Sequence, residues 1–220
     1  MSEKNPGHTS CSYEYEKYCC ASIREVRQML DTFGVAILPA VFDAEECESV
    51  KSGMWDYLEQ ITQKAARPIR RTVKSSWRTF HELSVKHSQL MQNFHVGQAQ
   101  FAWNVRQNPK YAEVFAELWQ VRPEDLVVSF DGASFHIPPE SIGNVGWDRG
   151  VCNLHSDQSY TRNNFECIQS WMTANEVRDG DATLTVLEGS HRFHAQCAQE
   201  FSITDERDWY RINEAQVKFY

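Results

Sequence analysis

Near residue 126 the chain changes from one periodicity to another, and that change limits the folds open to it. Upstream, apolar residues recur at helical spacing in three stripes. These are Val26, Met29, Leu30 and Phe33, then Cys47, Val50, Met54, Leu58 and Ile61, then Tyr111, Val114, Phe115, Leu118 and Trp119. Start and stop signals frame them: Ser22-Ile23-Arg24-Glu25 has capping-box form, Gly34 closes the first helix, and Asp43-Ala44-Glu45-Glu46 opens the second. Asn108-Pro109 opens the third, with proline in the first turn. Val35-Ala36-Ile37-Leu38, stopped by Pro39, reads as a short buried strand between the first two helices. Downstream the texture is that of short strands. Leu126-Val127-Val128-Ser129-Phe130 and Ala133-Ser134-Phe135-His136-Ile137 precede Pro138-Pro139, and a loop with Gly143, Gly146 and Gly150 leads into Val151-Cys152-Asn153-Leu154-His155. Further strand-like runs at 166–175 and 183–187 flank the turn Asp179-Gly180-Asp181. Helices followed by clustered strands with Gly and Pro punctuation predict an α+β chain whose second half is an antiparallel jelly roll.

This pattern divides the chain into a polar, tyrosine-rich arm at 1–20 and one domain at 21–220. The domain has a helical part over about 21–125 and a strand part over about 126–220. An apolar content of 41% over 220 residues is enough for one buried core. A net charge of −8 argues against nucleic acid or an anionic membrane as partner, because neutralising phosphates needs surplus cations. The opening Met1-Ser2-Glu3-Lys4-Asn5-Pro6 does not read as a secretory leader, and no run is apolar enough for a membrane helix. Seven cysteines, an odd number without a C-x-x-C pair, fit a reducing compartment and predict a cytoplasmic protein. The adjacent Cys19-Cys20 reads as two ordinary thiols. Lys64, Arg67, Arg70, Arg71, Lys74 and Arg78 form either a solvated loop balancing an acidic protein or an anion-binding lip.

His155-Ser156-Asp157 carries the chemistry. Residues two apart on a strand project to the same face, so this imidazole and this carboxylate stand side by side. Two such groups are two of the three protein ligands of a non-heme iron(II) centre, with a second histidine expected later. In a chain with eight histidines the three-residue pattern is weak by itself. Its context strengthens it: a strand-like run and Gly-rich loop before, then a strand, a turn and Gly189-Ser190-His191-Arg192 after. The plainer alternative is a hydrogen-bonded pair on a surface loop.

This combination resembles the phytanoyl-CoA dioxygenase family of iron(II)/2-oxoglutarate oxygenases. The matching pieces are Gly34-Val35-Ala36-Ile37-Leu38-Pro39 with the acidic helix start after it, His155-Ser156-Asp157, and the stretch from Trp171-Met172-Thr173-Ala174 to Leu187-Glu188-Gly189-Ser190-His191-Arg192. Together they span roughly 22–195. The resemblance implies a double-stranded β-helix (jelly roll) with N-terminal helices packed on it. It also implies Fe(II), 2-oxoglutarate as cosubstrate, and hydroxylation of an unactivated carbon in a small-molecule substrate. It assigns His155 and Asp157 as metal ligands and Trp171 to the 2-oxoglutarate pocket. His136 and Gln98 are its polar cosubstrate contacts. Plain core roles are the alternative for Trp171 and His136.

The chain departs from the family pattern at Asp181-Ala182-Thr183, where Asn-Gly is usual, and at Glu188, where proline precedes Gly-Ser-His. The tail from Phe201 to Tyr220 holds no histidine, so the distal histidine, the cosubstrate arginine and the last strands are expected to be missing. His191 or His194 would be the substitutes for the third ligand. A second polypeptide or another copy completing the barrel is the partner this implies. A rival reading is a catalytically inactive oxygenase fold used for binding or scaffolding. A cupin with other chemistry would need a His-x-His pair, and a serine hydrolase a Gly-x-Ser-x-Gly elbow; the chain has neither.

Overall fold

The computed structural model describes residues 14–83, 89–138, 154–178, 181 and 183–220. Residues 1–13 of the expected arm, the Gly-rich loop at 143–150, residues 151–153 and most of the turn at 179–182 lie outside the described residues.

Helix α1 spans Ile23–Phe33 and α2 spans Ala44–Ile61. At α2 the expected capping box is complete: Asp43 Oδ1 accepts from the Glu46 N–H and Glu46 Oε2 from the Asp43 N–H, both at 2.8 Å. The same carboxylate accepts from Asn108 Nδ2 at 2.8 Å and pairs with Lys110 Nζ at 2.9 Å. Asn108 is itself the N-cap of α4, Pro109–Trp119, so one glutamate ties two helix starts together. At α1 the expected box does not form. Ser22 Oγ reaches Glu25 Oε1 at 3.5 Å rather than the backbone, while Glu25 Oε2 accepts from the Ala21 N–H at 2.9 Å.

The far end of α1 docks the Gly-Ser-His turn. Gly34 takes φ +74° and its N–H returns to the Leu30 carbonyl at 2.8 Å. The Gly189 N–H then donates to the Phe33 carbonyl at 2.8 Å, and His191 Nε2 lies 3.1 Å from the Asp31 carbonyl. Carbonyls that a helix end leaves unpaired are thereby satisfied by a distant turn.

Two apolar clusters follow from the predicted stripes. One joins Leu58 of α2, Phe101 of α3 (Gln100–Arg106) and Ile69, Phe80 and Val96 with Met91, Phe135 and Ile137. The last three lie in or just after a small antiparallel sheet of β1 (Leu90–Met91) and β2 (Ala133–Ser134), with Leu90 opposite Ser134 and Met91 opposite Ala133. The Phe135 N–H extends this ladder to the Gln89 carbonyl at 3.0 Å, and the Phe135 ring meets those of Phe80, Phe101 and Tyr57. The other cluster packs Val26 of α1 and Leu118 of α4 around Cys20. Here the strand expected at 35–38 is a single parallel bridge, Ile37 to Cys19.

Strand β3 (His155–Ser156) pairs antiparallel with β4 (Tyr210–Arg211), and helices α5 (His194–Glu200) and α6 (Glu214–Phe219) flank β4 in sequence. Helices and small antiparallel sheets make the chain α+β, as its periodicity predicts. The runs at 126–130, 166–175 and 183–187, expected as strands, have no strand neighbour among the described residues. Val127 is 96% exposed and Phe130 61%. Strand preference measures how well a side chain fits a half-buried pleated surface, and that surface is not supplied to them here. The basic stretch wraps back on α2: Arg71 pairs with Asp56 and Glu59, and the Ile69 N–H donates to buried Thr62 Oγ1 at 3.0 Å. No helix of the described residues is long and apolar enough to cross a membrane.

Two outcomes follow. A Cβ at residue 34 would stand 2.5 Å from His191 Nδ1 on a left-handed backbone, so Gly34→Ala is expected to lower unfolding free energy by about 1–3 kcal/mol in urea titrations. The Asp43 N–H, then Lys110 and Asn108, hold the Glu46 carboxyl down to about 2 from its ordinary 4.5. Its stabilisation is therefore complete above pH 4.5 and lost as pH falls toward 2. Glu46→Gln is expected to lower the melting temperature at pH 7 and to converge on wild type near pH 2, as followed by circular dichroism.

Candidate functional site

β3 leads the chain into the bend that carries Asp157. His155 Nε2 lies 3.4 Å from Asp157 Oδ1, and each side chain is about one-third exposed. The strand period predicts this placement, and β4 fixes it from the other side. The Trp209 N–H donates to the Asp157 carbonyl at 3.3 Å, and the Ile212 N–H to the Leu154 carbonyl at 3.0 Å. Below the bend Ser159 is fully buried: its N–H donates to Asp208 Oδ1 at 3.2 Å and its hydroxyl to the Asp205 carbonyl at 3.0 Å. Asp208 also pairs with Arg162. Residues on both sides of the His-x-Asp step are thus pinned by one segment, 205–212.

Next along the bend, Tyr160 is buried between elements from the end of the chain. Its ring stacks on His194 at 4.2 Å and meets Tyr210 edge-on, and its hydroxyl lies 2.8 Å from that of Tyr220. Burial pushes the Tyr160 phenol up to about 12, so it is neutral at ordinary pH. Gln216, also buried, donates to the Tyr210 hydroxyl at 3.1 Å. α6 begins with a capping box between Asn213 and Gln216.

Two donors 3.4 Å apart can share one cation, since cis ligands at about 2.1 Å from a metal stand about 3 Å from each other. His155 and Asp157 therefore fit as two ligands of one ion. No group of three His, Cys, Asp or Glu placed to hold a metal occurs among the described residues. The two histidines considered as substitutes are engaged elsewhere, His191 at the end of α1 and His194 through Nε2 with the Ser159 carbonyl at 3.1 Å.

His136 and Trp171 also come together, with ring centroids 5.5 Å apart in an edge-on arrangement. Burial lowers the His136 pKa and keeps the imidazole neutral, and its Nε2 is buried with no hydrogen-bond partner among the described residues. Trp171 is 44% exposed and so is no core residue. Gln98 is exposed: it lines a groove between α2 and α3, and its Oε1 accepts from Trp103 Nε1 at 3.3 Å.

Sequence reasoning missed Trp209 and Arg211. The Trp209 ring lies 5.3 Å from that of His155, and Arg211 stands directly across the ladder from His155. Cross-strand partners share a face of the sheet, so Arg211 projects from the face that carries His155. The signal in the sequence was slight, an aromatic pair followed by Arg-Ile in a tail otherwise read for histidines. Comparison with protein-family models, with curated proteins and with solved structures found no match at any of the three levels.

A buried imidazole nitrogen without a partner costs about 1–3 kcal/mol. His136→Phe keeps the ring against Trp171 and removes that cost, so it is expected to raise unfolding free energy by about 1 kcal/mol in denaturant titrations.

Proposed function

We propose that the chain carries an Fe(II)/2-oxoglutarate-dependent dioxygenase centre of the phytanoyl-CoA dioxygenase type, hydroxylating a small organic substrate. The observation that supports it best is the 3.4 Å approach of His155 Nε2 to Asp157 Oδ1, where β3 gives way to the bend. In this reading His155 and Asp157 hold the iron. Bound iron supplies dioxygen activation coupled to decarboxylation of the cosubstrate. The chain's own residues bind and orient. Arg211 is the cation nearest in register to the pair and suits a carboxylate of the cosubstrate. Neutral His136 offers its unpaired nitrogen as a polar contact, and the indole of Trp171 walls that contact from water.

The finer architecture belongs to the same proposal. The extended runs at 126–130 and 183–187 are read as jelly-roll strands awaiting neighbours. Val127, Phe130, Leu184 and Val186 are exposed along them, a composition that suits pairing with further strands. Those strands, and the third metal ligand, are assigned to a second polypeptide or a second copy that completes the barrel.

The same exposed faces favour one alternative, an oxygenase-shaped module that binds partners without turnover. Anaerobic titration of Fe(II) with 2-oxoglutarate separates the two. The oxygenase reading predicts a weak visible charge-transfer band that His155→Ala and Asp157→Ala each abolish. Absence of both the band and calorimetric Fe(II) binding in the wild-type chain with the completing strands restored would contradict it and leave the binding module.

A further inference from the structure

We infer that Trp209 is a positioning residue for His155, and that segment 205–212 is a strap whose work is to present the imidazole to the Asp157 carboxylate. Three independent observations converge on this residue. Its ring lies 5.3 Å from the His155 ring at an interplanar angle of 34°, close enough to limit the imidazole's rotation about its side-chain bonds. Its own N–H donates to the Asp157 carbonyl, so a single residue touches both members of the pair. Its backbone has φ +63°, a left-handed conformation that costs a bulky side chain free energy and that glycine adopts freely.

Strain of this kind persists only where surrounding contacts hold it, and here they are plain. Ile212 N–H to the Leu154 carbonyl on one side, and Ser159 to the Asp205 carbonyl and the Asp208 side chain on the other, hold the segment on both sides of residue 209. Stability of the strap alone does not call for tryptophan there. The indole is 48% exposed, so much of its apolar surface stays in water. What tryptophan adds over glycine is a flat, rigid wall on His155.

The wall constrains which rotamers His155 can use. With the indole on one side and the Asp157 carboxylate 3.4 Å from Nε2, the ring is left one well-defined orientation. Groups that orient a ligand before the metal arrives reduce the ordering that binding must impose. The rotamer claim concerns the protein alone. Its consequence for metal affinity rests on the iron-centre reading given above.

Trp209→Gly separates this role from a merely structural one, because it removes the wall while relieving the left-handed strain. The melting temperature is expected to stay close to wild type. In the metal-free chain, side-chain NMR couplings of His155 should change from a single rotamer to an average, and its ring protons should lose the indole's ring-current shift. Trp209→Phe should restore the single rotamer. If His155 keeps one rotamer in Trp209→Gly, the inference is overturned whatever the metal does. Titration with Co(II) as the probe is expected to show affinity about tenfold or more weaker in Trp209→Gly and largely recovered in Trp209→Phe. A wild-type chain that binds no Co(II) even with the completing strands restored would count against the iron reading, while the rotamer measurement still decides the role of Trp209.

Discussion

The pairing of β3 with β4 is the contact on which the candidate site depends. Two residues on each side make the ladder, His155 opposite Arg211 and Ser156 opposite Tyr210. So short a ladder would not hold alone, since each hydrogen bond adds only about 1 kcal/mol net. Buried polar groups reinforce it. Ser159 at 0% exposure must place both its N–H and its hydroxyl, and it places them on residues 205 and 208. Tyr160, stacked on His194 and bonded to Tyr220, draws α5 and α6 to the same point. Loss of this anchorage would leave an imidazole and a carboxylate on an unsupported bend.

The helical half rests on a different economy, in which side chains close the ends of helices. Glu46 serves its own N-cap and that of α4, and the Gly189 turn serves the carbonyls of α1. The second of these has a functional corollary. Gly-Ser-His-Arg, one of the pieces that carry the family resemblance, is here a helix-capping device, and His191 is occupied by it. Its value is in setting where the chain turns toward α5.

Much of this was legible in the sequence because the signals are local. Asp43 with Glu46, Asn108 before Pro109, and Gly34 each announce a helix boundary within four residues, and the apolar stripes of α1, α2 and α4 do turn inward. The His155–Asp157 juxtaposition was legible for the same reason, although Asp157 itself stands in the bend after β3 rather than in the strand. The pairing with residues 210–211 was not, because register between distant segments is set by tertiary contacts that no short window encodes. The runs at 126–130 and 183–187 mark the opposite failure. Their β-branched residues read as strands, yet the described residues give them no neighbour, and propensity alone does not build a sheet. Gln98, expected as a polar cosubstrate contact, accepts from Trp103 Nε1.

The central claim is that His155 and Asp157 are two ligands of one iron. Iron K-edge absorption of the anaerobic Fe(II)-loaded chain tests it most directly, because imidazole rings give a characteristic outer-shell scattering pattern. The account predicts imidazole scattering in the wild type that is diminished in His155→Ala, with a further loss of one light-atom ligand in Asp157→Ala. An all-water first shell, or a spectrum unchanged by both substitutions, would contradict it.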